Sequence, residues 1–164
     1  MESSALFNLN NINIIMKTKV NEISISYSGN LKLKDWPKIT CSNDAVNLLY
    51  ENWEKGTIGL HESFKILLLN NSNKVKGIYT LSSGGITGTL VDVRMLFAVL
   101  LKSLSTAVIL AHNHPSGNTN PSEADKQLTQ KISKGGEYMD IKILDHLIIT
   151  PDGEFFSFAD EGLL

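Results

Sequence analysis

The run "TAVILAHNH", residues 106–114, constrains this chain more than any other stretch. Its apolar positions are nearly continuous, include β-branched residues and are too few for an ordinary helix, which reads as a strand buried on both faces. A strand of that kind needs a covering layer on each side. It also runs straight into His112 and His114, two of the chain's four histidines. "ESFKILLLN", 62–70, is a second nearly continuous apolar run and reads as another central strand. "NSNK" turns the chain, and "VKGIYTLSS" returns it as a hairpin partner.

Helical patterns supply the layers. "SNDAVNLLYENWE" places Val46, Leu49, Tyr50 and Trp53 at helical spacing, behind Ser42 or Asn43 as a cap, and predicts a helix over 43–55. "LVDVRMLFAVLLKSLS" predicts a second, capped near Thr89 or Asp92. "NTNPSEADKQLTQKISKGGEYM" predicts a third, with Asn120 as N-cap, Pro121 at the first helical position and Glu123 completing a capping box. Gly135 and Gly136 are expected to stop it. "VNEISISYSG" alternates as an edge strand, and "NLKLKDWPKIT" is a lysine-rich connector that Pro37 keeps out of a helix. Gly84, Gly85 and Gly88 shape a corner. "IKILDHLIITPDGEFFSF" gives two last strands around a Pro-Asp-Gly turn. The order β-α-β-β-α-β-α-β-β is that of an α/β (α+β) fold, a mixed β-sheet flanked by helices. One domain is expected over 20–164, with 1–19 a disordered leader and Met16 an alternative start.

Composition narrows the function. The formal net charge is −2 and Arg94 is the only arginine. That is no electrostatic footprint for a polyanion, and arginine is the usual bidentate reader of guanine. Nucleic acid is therefore a partner that charge does not support. The single cysteine, Cys41, forms no disulfide within the chain, reads as a small core or helix-edge residue, and fits a reducing compartment. Asn8, Asn10, Asn11 and Asn13 break the first apolar run, so it is no secretory signal, and no stretch approaches the roughly 18 apolar residues of a membrane span. A cytoplasmic protein with no membrane contact is the expectation, with homo-oligomers open.

The chemistry gathers around "HNHPSGNTNPSEAD". In extended backbone, residues i and i+2 share a side, so His112 and His114 project together. Two imidazoles are half of a tetrahedral metal site, and Asp125, in the first turn of the third helix, is the candidate third ligand. An open fourth position suits catalysis and suits Zn²⁺ best. Asp125 reads equally as a helix-dipole partner. Hydrolysis further needs a proton carrier, for which Glu62 at the head of a buried strand is best placed, with Glu51, Glu54, Glu123 and Glu137 competing. Ser122 shares a helix face with Asp125 and could donate to an oxyanion. A phosphate-loop reading of "HPSGNT" fails for want of a Gly-Lys-Ser/Thr ending. Asp145 and His146 point to opposite sides. They read as a hydrogen-bonding pair at a strand start, in preference to partners of the metal ligands. His61 is expected to face away from the site.

The stretch resembles the JAMM (MPN-domain) metal motif: an upstream Glu, His-x-His, ten residues, then Asp, with Ser three before it. "ILAHNHPSG", "DHLIIT", "SSGGITGT" and "FSFADEGLL" resemble the RadC-like bacterial branch, over about 40–164. The resemblance implies a JAMM/MPN-like, cytidine-deaminase-like fold. It makes His112, His114 and Asp125 ligands of one zinc ion, Glu62 the base and Ser122 the oxyanion donor. It implies a zinc metallohydrolase that cleaves a peptide or isopeptide bond in a peptide or protein substrate. The alternatives are a DNA-repair or mobile-element accessory protein and a metal-binding scaffold without turnover. A chain of 164 residues is expected to leave no room for the N-terminal helix-hairpin-helix region of longer RadC proteins.

Overall fold

The computed structural model describes residues 31–84 and 90–164. The expected strand at 20–29 and the expected leader lie outside these, as do Gly85, Gly88 and Thr89. The described elements are α1 (Ser42–Glu51), β1 (Ser63–Leu69), β2 (Val75–Ser83), α2 (Val93–Lys102), β3 (Ala107–Asn113), α3 (Glu123–Tyr138), β4 (Lys142–Ile149) and β5 (Phe155–Ser157). The five strands make one mixed sheet in the order β2-β1-β3-β4-β5. β3 pairs parallel with β4, and the other pairs are antiparallel. Among the described residues no helix is long and apolar enough to cross a membrane.

β3 is the strand its sequence demands, because every one of its residues is buried. It lies in the middle of the sheet, with helices over both faces. Ile109 and Ala111 join Leu67, Leu69, Leu147 and Ile149 in a core against α1. Val108 and Leu110 join Ile66, Leu68 and Ile132 in a second core under α2 and α3. A register shift between Val108 and Ile109 pairs Ile109 with Asp145 and Leu110 with His146. Asp145 therefore belongs to the α1 face and His146 to the α2/α3 face.

The helix boundaries depart from expectation in three places. α1 ends at Glu51, yet Trp53 still reaches the core at 3% exposure through a turn in which its N–H donates to the Tyr50 carbonyl. Its N-cap is the exposed Cys41, without a side-chain cap bond. Asp44 instead reaches back, accepting from the Thr40 amide at 2.8 Å and hydroxyl at 2.5 Å. α3 starts after Ser122, and neither Asn120 nor Glu123 forms the capping box. Ser122 and Asp125 satisfy each other's backbone amides, and Asn118 Oδ1 accepts from the Asn120 amide. Finally, Gly135 and Gly136 lie inside α3. A Cβ at Gly135 would sit 2.7 Å from Phe97, and one at Gly136 would sit 2.5 Å from the Ile141 carbonyl. Close packing selects both glycines, and α3 continues to Tyr138. The expected cap of α2 holds, since the Asp92 side chain accepts from the Arg94 amide.

Candidate metal centre

His112 is the penultimate residue of the buried strand β3, and His114 follows the strand with its amide still bonded to the Ile149 carbonyl at 3.0 Å. That bond keeps the backbone extended, so the two imidazoles stay on one side. The loop then turns back: the Gly117 amide donates to the His114 carbonyl, and Gly117 takes a φ of 79°, open to glycine without strain. The turn presents the Asn118 carbonyl to His114 Nδ1 at 2.6 Å. It then delivers α3, whose first turn carries Asp125 toward the histidines.

The resulting geometry is compact. His112 Nε2 lies 3.0 Å from His114 Nε2 and 3.4 Å from Asp125 Oδ1. His114 Nε2 lies 3.9 Å from Asp125 Oδ2. One ligand atom from each residue fits within 4.8 Å of the others. A tetrahedral zinc with bonds of about 2.0–2.1 Å needs ligand atoms about 3.3 Å apart; the 3.0 Å between the two Nε2 atoms and the 3.4 Å from His112 Nε2 to Asp125 Oδ1 bracket that value. The donor set of two imidazoles and one carboxylate therefore fits zinc in number, type and spacing.

Glu62 and Ser122 line the same cavity of about 470 Å³ as His112, His114 and Asp125. Glu62 precedes β1 and is half-buried. Asn113, the residue between the two histidines, points to the other side of β3. It is fully buried, accepts from the Ser63 amide at 2.7 Å, and donates to the Ile58 and His61 carbonyls at 2.6 and 2.9 Å. One side chain thus ties the segment bearing Glu62 to the strand bearing the histidines. Sequence reasoning passed over Asn113, although an amide inside a buried apolar run was its signal. His61 pairs with Ser83 Oγ at 3.1 Å and does not line the cavity.

Ser122 does more than line the wall. Its hydroxyl donates to Asp125 Oδ2 at 2.6 Å and accepts from the Asp125 amide at 3.2 Å, while its own amide donates to the same Oδ2 at 2.7 Å. Oδ2 is held by the helix cap, and Oδ1 is left toward His112.

The preferred expectation for Asp145 and His146 is half right. Asp145 is structural: it accepts from the amides of His146 and Ala159 and from Ser157 Oγ. It lies within β4 and not at its start. His146 belongs to the site, its Nε2 2.9 Å from His112 Nδ1 and its Nδ1 2.7 Å from Thr129 Oγ1.

Electrostatics follow burial. Burial lowers the His112 pKa from 6.5 to about 4, opposed by the Asp125 carboxylate and reinforced by His114. Complete burial, then His112 and His114, push His146 well below 6.5. Burial raises Asp145 against the hydrogen bonds from Ser157, Ala159 and His146. Both buried rings are thus held neutral, the state in which imidazole binds a metal.

Comparison with known proteins identifies the family. Residues 39–163 match the family model described as a RadC-like JAB domain. A UPF0758 protein of Flavobacterium johnsoniae is 53% identical over 135 residues, covering 81% of this chain and 55% of that relative. One from Porphyromonas gingivalis is 50% identical over 103 residues, covering 63% of this chain and 45% of its own length. The chain thus spans about half the length of these relatives. It covers 84% of the UPF0758 protein YfjY of Escherichia coli at 34% identity, an alignment that takes in 92% of this chain. The chain belongs to the family of RadC-like JAB domain proteins.

Proposed function

We propose that the chain is a zinc-dependent hydrolase of JAMM type, acting on a peptide or isopeptide bond in a cytoplasmic peptide or protein substrate. The observation that carries this reading is the convergence of His112, His114 and Asp125 in a cavity that Glu62 and Ser122 also line. His112 Nε2, His114 Nε2 and Asp125 Oδ1 would hold the ion. When bound, zinc supplies Lewis acidity toward a carbonyl oxygen and toward a water molecule. The Glu62 carboxylate takes the proton of the attacking water and returns it to the leaving amine. The Ser122 hydroxyl exchanges its bond to Asp125 Oδ2 for one to the developing oxyanion.

Metal analysis of the purified chain, joined to a screen of peptide and isopeptide substrates, tests this reading. One equivalent of zinc is expected. Glu62→Gln is expected to keep it while turnover falls about 10²- to 10⁴-fold, the contribution of a general base. Unchanged turnover in Glu62→Gln would remove Glu62 as proton carrier, and a chain that binds no divalent ion would overturn the proposal as a whole.

A further inference from the structure

His112 and His114 are oriented from behind by two different devices. His114 uses a backbone carbonyl, that of Asn118, at 2.6 Å from its Nδ1. A carbonyl only accepts, so Nδ1 carries a proton, and in the neutral ring Nε2 is the lone pair. His112 uses side chains, and their protons can be placed one at a time.

The chain starts at Thr129, whose hydroxyl has a single proton and two partners. One is the Asp125 carbonyl at 2.6 Å, which only accepts and so takes the proton. Toward His146 Nδ1, at 2.7 Å, the hydroxyl must then accept, and His146 Nδ1 is the N–H. His146 is fully buried, stacked on Phe158 and tilted against Phe64, and its ring nitrogens face only Thr129 and His112. With no carboxylate bonded to either ring nitrogen and the ring fully buried, the ring is neutral, so its Nε2 is a lone pair. That lone pair lies 2.9 Å from His112 Nδ1, which must be the donor. His112 Nε2 is left bare, aimed at His114 Nε2 and Asp125 Oδ1.

We propose that Thr129 and His146 are positioning residues that fix the tautomer of His112 and thereby make its Nε2 a metal ligand. The inference rests on the zinc-site reading above. It adds that the relay begins at the backbone of the third ligand, since Thr129 is bonded to Asp125, four residues before it on α3. Docking of α3 and the ligand state of β3 are then one event. A helix that carries Asp125 but not Thr129 would supply a carboxylate to a histidine free to present the wrong nitrogen. Hydrogen bonds behind a ligand histidine generally serve this end, and their loss costs about 10- to 100-fold in metal affinity.

The test uses the full chain with ¹⁵N-labelled histidine. In the metal-free wild type, ring-nitrogen shifts are expected to show protonated Nδ1 and bare Nε2 for both His112 and His114. Zinc affinity is read by competition with a chromophoric chelator. Thr129→Val keeps the shape and removes the acceptor for His146. It is expected to mix or reverse the His112 tautomer, leave His114 unchanged, and weaken zinc about 10- to 100-fold. Thr129→Ser, which restores the hydroxyl, is expected to recover both readouts, and a role in packing alone would not move the tautomer. Should Thr129→Val fold poorly, Thr129→Ala carries the same two readouts. A wild-type His112 protonated at Nε2, or a Thr129 variant with unchanged tautomer and zinc affinity within about twofold, overturns the proposal. If the wild type binds no zinc, the metal reading fails, while the wild-type tautomer and its response to Thr129→Val still decide the relay.

Discussion

Asp145 and His146 are neighbours on β4, both buried, and they anchor polar clusters on opposite faces of the sheet. On the α1 face, Asp145 gathers donors: two amides at 2.7 and 3.0 Å and the Ser157 hydroxyl at 2.6 Å. Every member has its partner inside the fold, and the cluster pins the segment after β5 to the sheet. On the α2/α3 face, His146 starts a series that runs outward through His112 and ends in converging electron-pair donors: two imidazoles and a carboxylate. The first cluster is closed by the chain, and the second is the kind a cation closes. Two adjacent polar residues in one buried strand thus take opposite roles, because strand alternation sends them to different faces.

The strongest test of this contrast exchanges the two losses. Asp125→Ala is expected to abolish stoichiometric zinc binding and the rise in melting temperature that zinc gives the wild type, since a ligand stabilises only the state that binds it. Asp145→Ala is expected to do the reverse: zinc is kept, and stability falls by about 3 kcal/mol because buried donors lose their acceptor. For a chain of this size that is a drop in melting temperature of roughly 10 °C. Calorimetry with and without zinc reads both, and zinc loss in Asp145→Ala would show that the faces are not independent.

The contrast also sets how much could be read in the sequence. The buried run of β3, the β1–β2 hairpin beside it, the cap at Asp92, and His112, His114, Ser122 and Asp125 in the cavity were legible, because local pattern or a short motif carries each, whereas Glu62 stood out from competing glutamates only through the family resemblance. His146 was not, because its partners Thr129 and His112 are distant along the chain and meet it only across a parallel strand pair and a docked helix. Gly135 and Gly136 misled for a related reason. They are chosen by Phe97 and by the Ile141 carbonyl, not by the end of a helix. The start of α3 was misplaced because Asn120, Pro121 and Glu123 fit one generic cap, whereas Ser122 and Asp125 form the box that also holds a site carboxylate.

A distinctive effect is expected from pH on the metal-free chain. His112 and His146 have folded values below 6.5, so the unfolded chain binds protons that the folded one refuses. Their contribution to stability is present above pH 6.5 and is lost as pH falls toward about 4, the folded value of His112. A loss of at least about 3 kcal/mol is expected from His112, since one pKa unit corresponds to about 1.4 kcal/mol. Asp145 acts with the opposite sign. Its folded value lies above 3.8, so the stability it lends is present below 3.8 and lost as pH rises through the folded value. Acid therefore weakens the histidine face while relieving the aspartate face. Denaturant titrations of the metal-free chain from pH 7 to 4 should show falling stability, and a steeper fall in Asp145→Asn. An equal or shallower slope in that variant would remove the opposition between the faces.

The smallest effect concerns the boundary between site and scaffold. Ser122 caps α3 and holds Asp125 Oδ2, so Ser122→Ala removes an N-cap, at about 1 kcal/mol, and frees one carboxylate oxygen. Asn120, expected from the sequence to be the cap, makes no such bond to α3, and Asn120→Ala should change stability by less than about 0.5 kcal/mol. Urea unfolding of the two variants separates the two caps. Zinc competition then sharpens the larger comparison. Where the cap serves only the helix, Ser122→Ala changes stability and leaves zinc affinity alone. Where holding Oδ2 presents Oδ1, affinity falls by about tenfold, the lower range for a group that orients a ligand. The second outcome is expected, because Ser122 Oγ, the Ser122 amide and Asp125 Oδ2 form a single bonded unit. Asp145→Ala, on the opposite face of the sheet, should leave affinity where the wild type has it.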